Sequence, residues 1–141
     1  MLAILFAAAL ATTAPQHPSA PAPLTSPDAV ADTFFAGLQS GDVEGTYRQL
    51  FGLLLAQKPS EGQNLIAQTT LALKMNGKVR GWELMRERQL SPSFVERFYI
   101  LKADAPIFYR LLLYKVDGAW TIYSLTFNDQ YDRMPGVASQ P

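Results

Sequence analysis

The sequence predicts an α+β domain in which three N-terminal helices pack on a bent, mainly antiparallel four-stranded sheet. Three observations carry this expectation. Between residues 26 and 76 the apolar residues recur at helical spacing, and between 79 and 127 they fall in strand-length runs. Asn76-Gly77, a pair that stops helices, separates the two regions. Near the end, Asp117-Gly118 sits between two such runs and marks a tight hairpin. At 141 residues the chain is long enough for one domain with one core.

The chain opens on ten apolar residues, LAILFAAALA at positions 2–11. A bilayer core needs about 20 residues of helix, so the run predicts a secretory h-region rather than a span. Ala9-Leu10-Ala11 supplies an A-x-A cleavage pattern, giving a leader of residues 1–11. No Lys or Arg follows Met1, so the amino terminus alone charges the n-region. The competing reading is a buried first helix or strand. Residues 12–25 form a Pro/Ala-rich linker that cannot build a core, and they hold His17, the only histidine. Its Pro-x-x-Pro spacing also permits recognition as a polyproline ligand. The folded unit is expected over 26–130, followed by a flexible tail at 131–141.

Ser26-Pro27-Asp28 is a helix start: a capping hydroxyl, a proline in the first turn and an acid at the positive dipole end. Val30, Ala31, Phe34, Phe35 and Leu38 make its apolar stripe, and Gly41 ends it. Asp42 caps a second helix carrying Val43, Tyr47, Leu50 and Phe51. A third is expected from about Ser60 to Met75, with Leu65, Ile66, Thr69, Ala72 and Leu73 on one face. Strands follow at about 79–90, 94–102, 107–116 and 119–127.

A type I′ turn at Asp117-Gly118 pairs Val116 with Ala119 and Tyr114 with Thr121. Continued without a break, it pairs Leu112 with Tyr123, Arg110 with Leu125 and Phe108 with Phe127. A turn at Asp104-Ala105 then adds Arg97, Tyr99 and Leu101 to that face, with Arg110 beside the Tyr99 ring. The other face carries Phe98, Ile100, Tyr109, Leu111, Leu113, Trp120 and Ile122. Both faces are apolar, and helices cover one. The remaining face, with Tyr99, Arg110, Leu112, Tyr114, Tyr123 and Phe127, is the expected interface of a homodimer or of an envelope protein partner. The alternatives are cover by the tail or linker, or a different register.

Three helices followed by a bent antiparallel sheet resemble the NTF2-like superfamily of cone-shaped α+β domains. The stretches that carry the likeness are ADTFFAGLQSGD (31–42), NGKVRGWEL (76–84) and YKVDGAWTIYSL (114–125). It looks closest to small exported members of unknown function. The motifs are structural, so the resemblance speaks to fold before activity. Some enzymes of the superfamily do chemistry in the cone between helices and sheet, with an acid or His as base and Tyr or Asp as hydrogen-bond donor. On that resemblance the candidate acids are Glu96 and Asp32, and the candidate donors Tyr47, Tyr109 and Ser124. A ligand pocket in the cone would draw on Phe34, Tyr47, Tyr109, Trp120 and Ser124; the plainer reading makes the aromatics core.

Composition removes several chemistries. Lys plus Arg (12) equal Asp plus Glu (12), which argues against a broad phosphate-binding surface and hence against nucleic acid. No cysteine is present, so there is no thiolate nucleophile, disulfide or Cys-based zinc site, and no lipid-anchoring Cys after the apolar run. With His17 in the linker, the domain has no imidazole for a triad or a metal. Asn128-Asp129-Gln130-Tyr131-Asp132 lacks the spacing of a calcium loop, and no phosphate-cradling glycine loop occurs. Residues 74–102 hold seven bases and three acids, among them the alternating Arg86-Glu87-Arg88, which reads as cross-strand pairing. No metal or cofactor is expected. The leading expectation is an exported (periplasmic or secreted), non-catalytic domain binding an apolar small ligand or a protein partner. The alternative is a cofactor-free isomerase or lyase, and a third reading is an accessory dimer supporting an envelope protein.

Overall fold

Ser26 caps the first helix as expected, its hydroxyl accepting from the Ala29 amide at 3.1 Å. The computed structural model describes residues 22–137, so the leader and linker residues 12–21 lie outside the described residues. Helix α1 (Pro27–Ser40) ends where Gly41, at φ +85°, turns its amide back to the Leu38 carbonyl. Helix α2 (Val43–Leu50) starts at Asp42, whose carboxylate accepts from the Gly45 amide at 3.0 Å. Four helices form rather than three. A short α3 (Gly52–Gln57) precedes α4 (Pro59–Asn76). The chain breaks at Phe51, whose buried ring stacks on Tyr47 at 5.0 Å, and again before Pro59, which has no amide hydrogen for a continuous helix.

The sheet is a meander, β1 (Gly81–Ser91), β2 (Phe94–Lys102), β3 (Ile107–Val116) and β4 (Ala119–Asn128), antiparallel throughout in the order β1-β2-β3-β4. Asp117 and Gly118 take φ +50° and +77°, as a type I′ turn requires, and Val116 pairs with Ala119. The expected register then fails in two places. A β-bulge leaves Tyr123 unpaired, so Leu112 meets Ser124, Arg110 meets Thr126 and Phe108 meets Asn128. Leu125 and Phe127 thereby turn to the concave face under the helices. In the β2–β3 connection Leu101 pairs with Ile107, one residue away from what an Asp104-Ala105 turn would give. Tyr99 consequently lies opposite Tyr109 on the concave face, and Glu96 and Phe98 lie on the convex one.

Phe34 and Phe35, both fully buried, drive α1 into the concave face. Phe35 meets Trp82, Tyr99 and Tyr109 at 5.8, 4.9 and 5.4 Å, and Phe34 meets Tyr47 and Tyr109 at 5.8 Å. Trp120 and Ile122 join the same core, as expected, together with Leu38 and the half-buried Ile66. A buried Arg97 ties α1 to the sheet, donating to Asp28 at 2.6 Å, to Glu87 at 2.6 Å and to the Tyr99 hydroxyl at 3.0 Å. Desolvation pulls the Arg97 pKa down, but these bonds outweigh it and hold the guanidinium above its ordinary value.

Residues 131–137 are not a loose tail. A single 3-10 turn, Tyr131–Arg133, lays Tyr131 on Phe108 at 5.4 Å, and Met134 is 1% exposed. The segment runs on past Phe98, beside which Gly136 sits. It covers the Phe98–Phe108 end of the convex face, whose rings would otherwise be wet. At the other terminus the Leu24 carbonyl accepts from the Trp120 amide at 2.7 Å, so the ordered domain begins before residue 26.

Helices α1 and α2 approach closely at Gly37, where an added methyl would overlap the β-branched side chain of buried Thr46. Gly37→Ala should therefore destabilise the fold by about 1–2 kcal/mol in urea unfolding, overlap outweighing alanine's helix preference. Adding Thr46→Ala should recover most of that loss; a stabilised Gly37→Ala would mean that the helices do not meet there.

Candidate functional site

Helix α4 packs on α2 and α3, and Thr69 fixes its rotation. The buried Thr69 and Tyr47 hydroxyls share a 2.8 Å hydrogen bond, which turns Gln68, Ala72 and Met75 toward the C-terminal half of β4. Between them lies a cleft of about 440 Å³. Its wall on the helix side is Leu65, Gln68, Leu71, Ala72, Met75 and Asn76, and on the sheet side Ile107 and residues Leu125 to Asp129. The bulge at Tyr123 creates the second wall, because only with that extra residue do Leu125 and Phe127 face α4.

The floor is apolar and the lip polar, the arrangement of small-molecule sites generally. Leu71 and Met75 stand at the mouth, 56% and 76% exposed. Asn76 spends its amide nitrogen on the Ala72 carbonyl at 2.7 Å, and Asn128 its oxygen on the Gln130 amide at 2.9 Å. Asp129, at the lip, has no ion-pair partner among the described residues. Behind the floor, Phe127 stacks on Tyr109 at 5.3 Å, and the Tyr109 hydroxyl is buried without a hydrogen-bond partner. Burial pushes the Tyr47 phenol up to about 12, against a smaller downward pull from Thr69. Burial raises Tyr109 further still, and the nearby Tyr47 adds to it.

The expected pocket residues do not line this cleft. Phe34, Tyr47 and Tyr109 are fully buried and packed on one another, and Trp120 is 9% exposed. Ser124 stands on the convex face opposite Leu112. The candidate acids lie elsewhere too. Glu96 is 2% exposed on the convex face, opposite Leu112 and away from the Trp120 side. There it accepts from Arg110 at 2.5 and 2.7 Å and pairs with Arg88 at 3.1 Å. Asp32 accepts from the Trp82 indole at 3.0 Å. Neither candidate acid lines the cleft, whose one carboxylate is Asp129 at the lip.

The expected interface set divides. Arg110, Leu112, Tyr114 and Tyr123 share the convex face, where Phe94 meets Tyr114 at 6.1 Å and Tyr123 at 5.7 Å. Tyr99 and Phe127 belong to the concave side, Tyr99 only 4% exposed under Phe35. Arg110 consequently serves Glu96 rather than the Tyr99 ring, and the convex cation–π contact is Arg86 over Phe98 at 4.3 Å. Sequence reasoning missed Leu125, Gln68, Leu71, Met75 and Asp129 as cleft residues. The Leu71/Met75 pair, apolar at i and i+4 off the main stripe of α4, was the available signal. Among the described residues no group of three or more acids or histidines is placed to hold a metal, and no helix is long and apolar enough to cross a membrane.

Tyr47 makes stability fall in alkali. Its phenol ionises near its ordinary value of 10 when unfolded and near 12 when folded, so the unfolded state loses its proton first. The stabilisation is complete below pH ~10 and is lost as pH rises toward ~12, about 2–3 kcal/mol for a shift of that size. Denaturant unfolding across this window should show the decline, and Tyr47→Phe should make it shallower, the remainder belonging to Tyr109 and Tyr99, whose phenols are also raised by burial. An unchanged slope in Tyr47→Phe would place the titration elsewhere. Comparison of the chain with protein-family models, curated proteins and solved structures finds no match.

Proposed function

We propose that this chain is a non-catalytic, exported binding domain that holds an apolar small molecule in the cleft between α4 and the end of β4. The observation that carries the reading is the cleft lining: a floor of Ile107, Leu125, Phe127 and Ala72 under a polar lip. The isomerase or lyase alternative needs a base near a buried donor. Glu96 spends both oxygens on arginines across the sheet, and Asp32 is engaged by Trp82. Export rests on the apolar leader and the proline-rich linker.

Nile red, a neutral apolar fluorophore, should bind the domain saturably at one site. Leu71→Asp combined with Met75→Asp should weaken it at least about tenfold, by replacing the two exposed apolar side chains of the lining with charges. Both positions are more than half exposed, so the unfolding free energy should move by no more than about 1 kcal/mol. Absence of saturable binding, or binding unchanged in the double variant, would overturn the cleft reading.

A second reading has its own observation. Tyr123 is 68% and Tyr114 40% exposed beside Phe94, an aromatic cluster at the end of the convex face that residues 131–137 leave uncovered. This patch supports self-association across a two-fold axis. The domain should sediment as a dimer at tens of micromolar, and Tyr123→Glu should make it a monomer. A monomeric parent ends the dimer reading.

A further inference from the structure

We infer that the ligand of the α4–β4 cleft is a cationic amphiphile: an aliphatic body with an ammonium head seated at Asp129. The inference rests on the cleft reading and names the ligand's chemistry. Asp129 is the only charged side chain in the lining; Gln68, Thr126, Asn76 and Asn128 are neutral. Elsewhere in the described residues most carboxylates have partners. Asp28, Glu44, Glu61, Glu83, Glu87, Glu96 and Asp104 sit in ion pairs, while Asp32 accepts from Trp82 and Asp42 caps α2. Asp117, in the hairpin turn, and Asp132, in the 3-10 turn, are also unpaired, but neither lines the cleft.

Of the two lip amides, Asn128 has its oxygen on the Gln130 amide and offers a nitrogen, whereas Asn76 adds to the acceptor side. Asn76 has committed its amide nitrogen to the Ala72 carbonyl, which leaves its side-chain oxygen as an acceptor. An ammonium there gains a carboxylate and an amide oxygen, with its chain on Leu125 and Phe127. A carboxylate or phosphate head would meet Asp129 at the edge of an apolar trough, where weaker solvation makes like-charge repulsion more costly than in water. Charge at the lip thus selects the head, and the apolar floor accepts the tail.

The test is displacement of Nile red from the full domain by decyltrimethylammonium, decanol and decanoate, all below their micellar concentrations. The cation should displace at about fivefold lower concentration than the alcohol, and at least about tenfold lower than the acid, at low salt. Raising salt to ~0.5 M should shrink the cation-to-acid ratio, because exposed charges are screened. Asp129→Asn should bring that ratio to within about twofold. Asp132→Asn, which lies outside the lining, should keep the parental ratio. Circular dichroism confirms that each variant is folded. Decanoate binding as well as the cation, or an Asp129→Asn variant with the parental ratio, would overturn the head-group inference and leave the cleft standing. Failure of Nile red and of all three ten-carbon ligands would instead remove the cleft reading itself.

Discussion

Phe34 and Phe35, adjacent on α1, put two rings into the concave face of the sheet, and the rest of the architecture accommodates them. They are flanked by Tyr99, Tyr109 and Trp82 from the strands and by Tyr47 from α2. Burying rings on this scale contributes roughly 1.5–3 kcal/mol for each, so an empty cone would be far less stable than a filled one. The consequence is functional. With the centre occupied by packed aromatics, usable space moves to the flank, where α4 stands on α2 and α3 and leaves a trough beside β4.

One extra residue then decides what each face of β4 offers. The bulge at Tyr123 sends Leu125 and Phe127 to the helix side and leaves Tyr123 on the convex side near Phe94. Both candidate surfaces, the cleft and the convex aromatic cluster, take a wall from this bulge. Bulges re-aim side chains in this way because strand alternation has a period of two, and a single insertion reverses it.

Charge is organised around β2 with the same economy. Glu96 and Arg97 are neighbours on opposite faces, 2% and 6% exposed, and each is held by two opposite charges. Arg88 and Arg110 hold Glu96 on the convex side, while Asp28 and Glu87 hold Arg97 on the concave side. Because β1 alternates Arg-Glu-Arg, a slip of one residue between β1 and β2 would face like charges with like. These pairs define register as much as stability, since a buried charge without its partner is strongly unfavourable.

The sequence by itself determined the order of elements, helices before strands, because helical and strand periods differ along the chain. It also determined the Ser26 and Asp42 caps, the Asp117-Gly118 hairpin, the burial of Trp120 and Ile122, and the cross-strand use of Arg86-Glu87-Arg88. Each depends on residues close in sequence or on a face set by one turn. Tertiary structure alone decided the rest. No local signal marks the bulge at Tyr123 or the one-residue offset at Leu101–Ile107, and each reverses the facing of everything beyond it. Tyr99, Glu96, Phe127 and Ser124 therefore stand on the faces opposite to those expected of them. The fold of residues 131–137 was equally hidden: a polar, proline-bearing segment is held because Phe98 and Phe108 need cover. The cleft depends on how far α4 stands from β4, a distance set by Tyr47, Thr69 and the packing of two other helices. Such a gap is a property of several elements together, and no stretch of the chain encodes it.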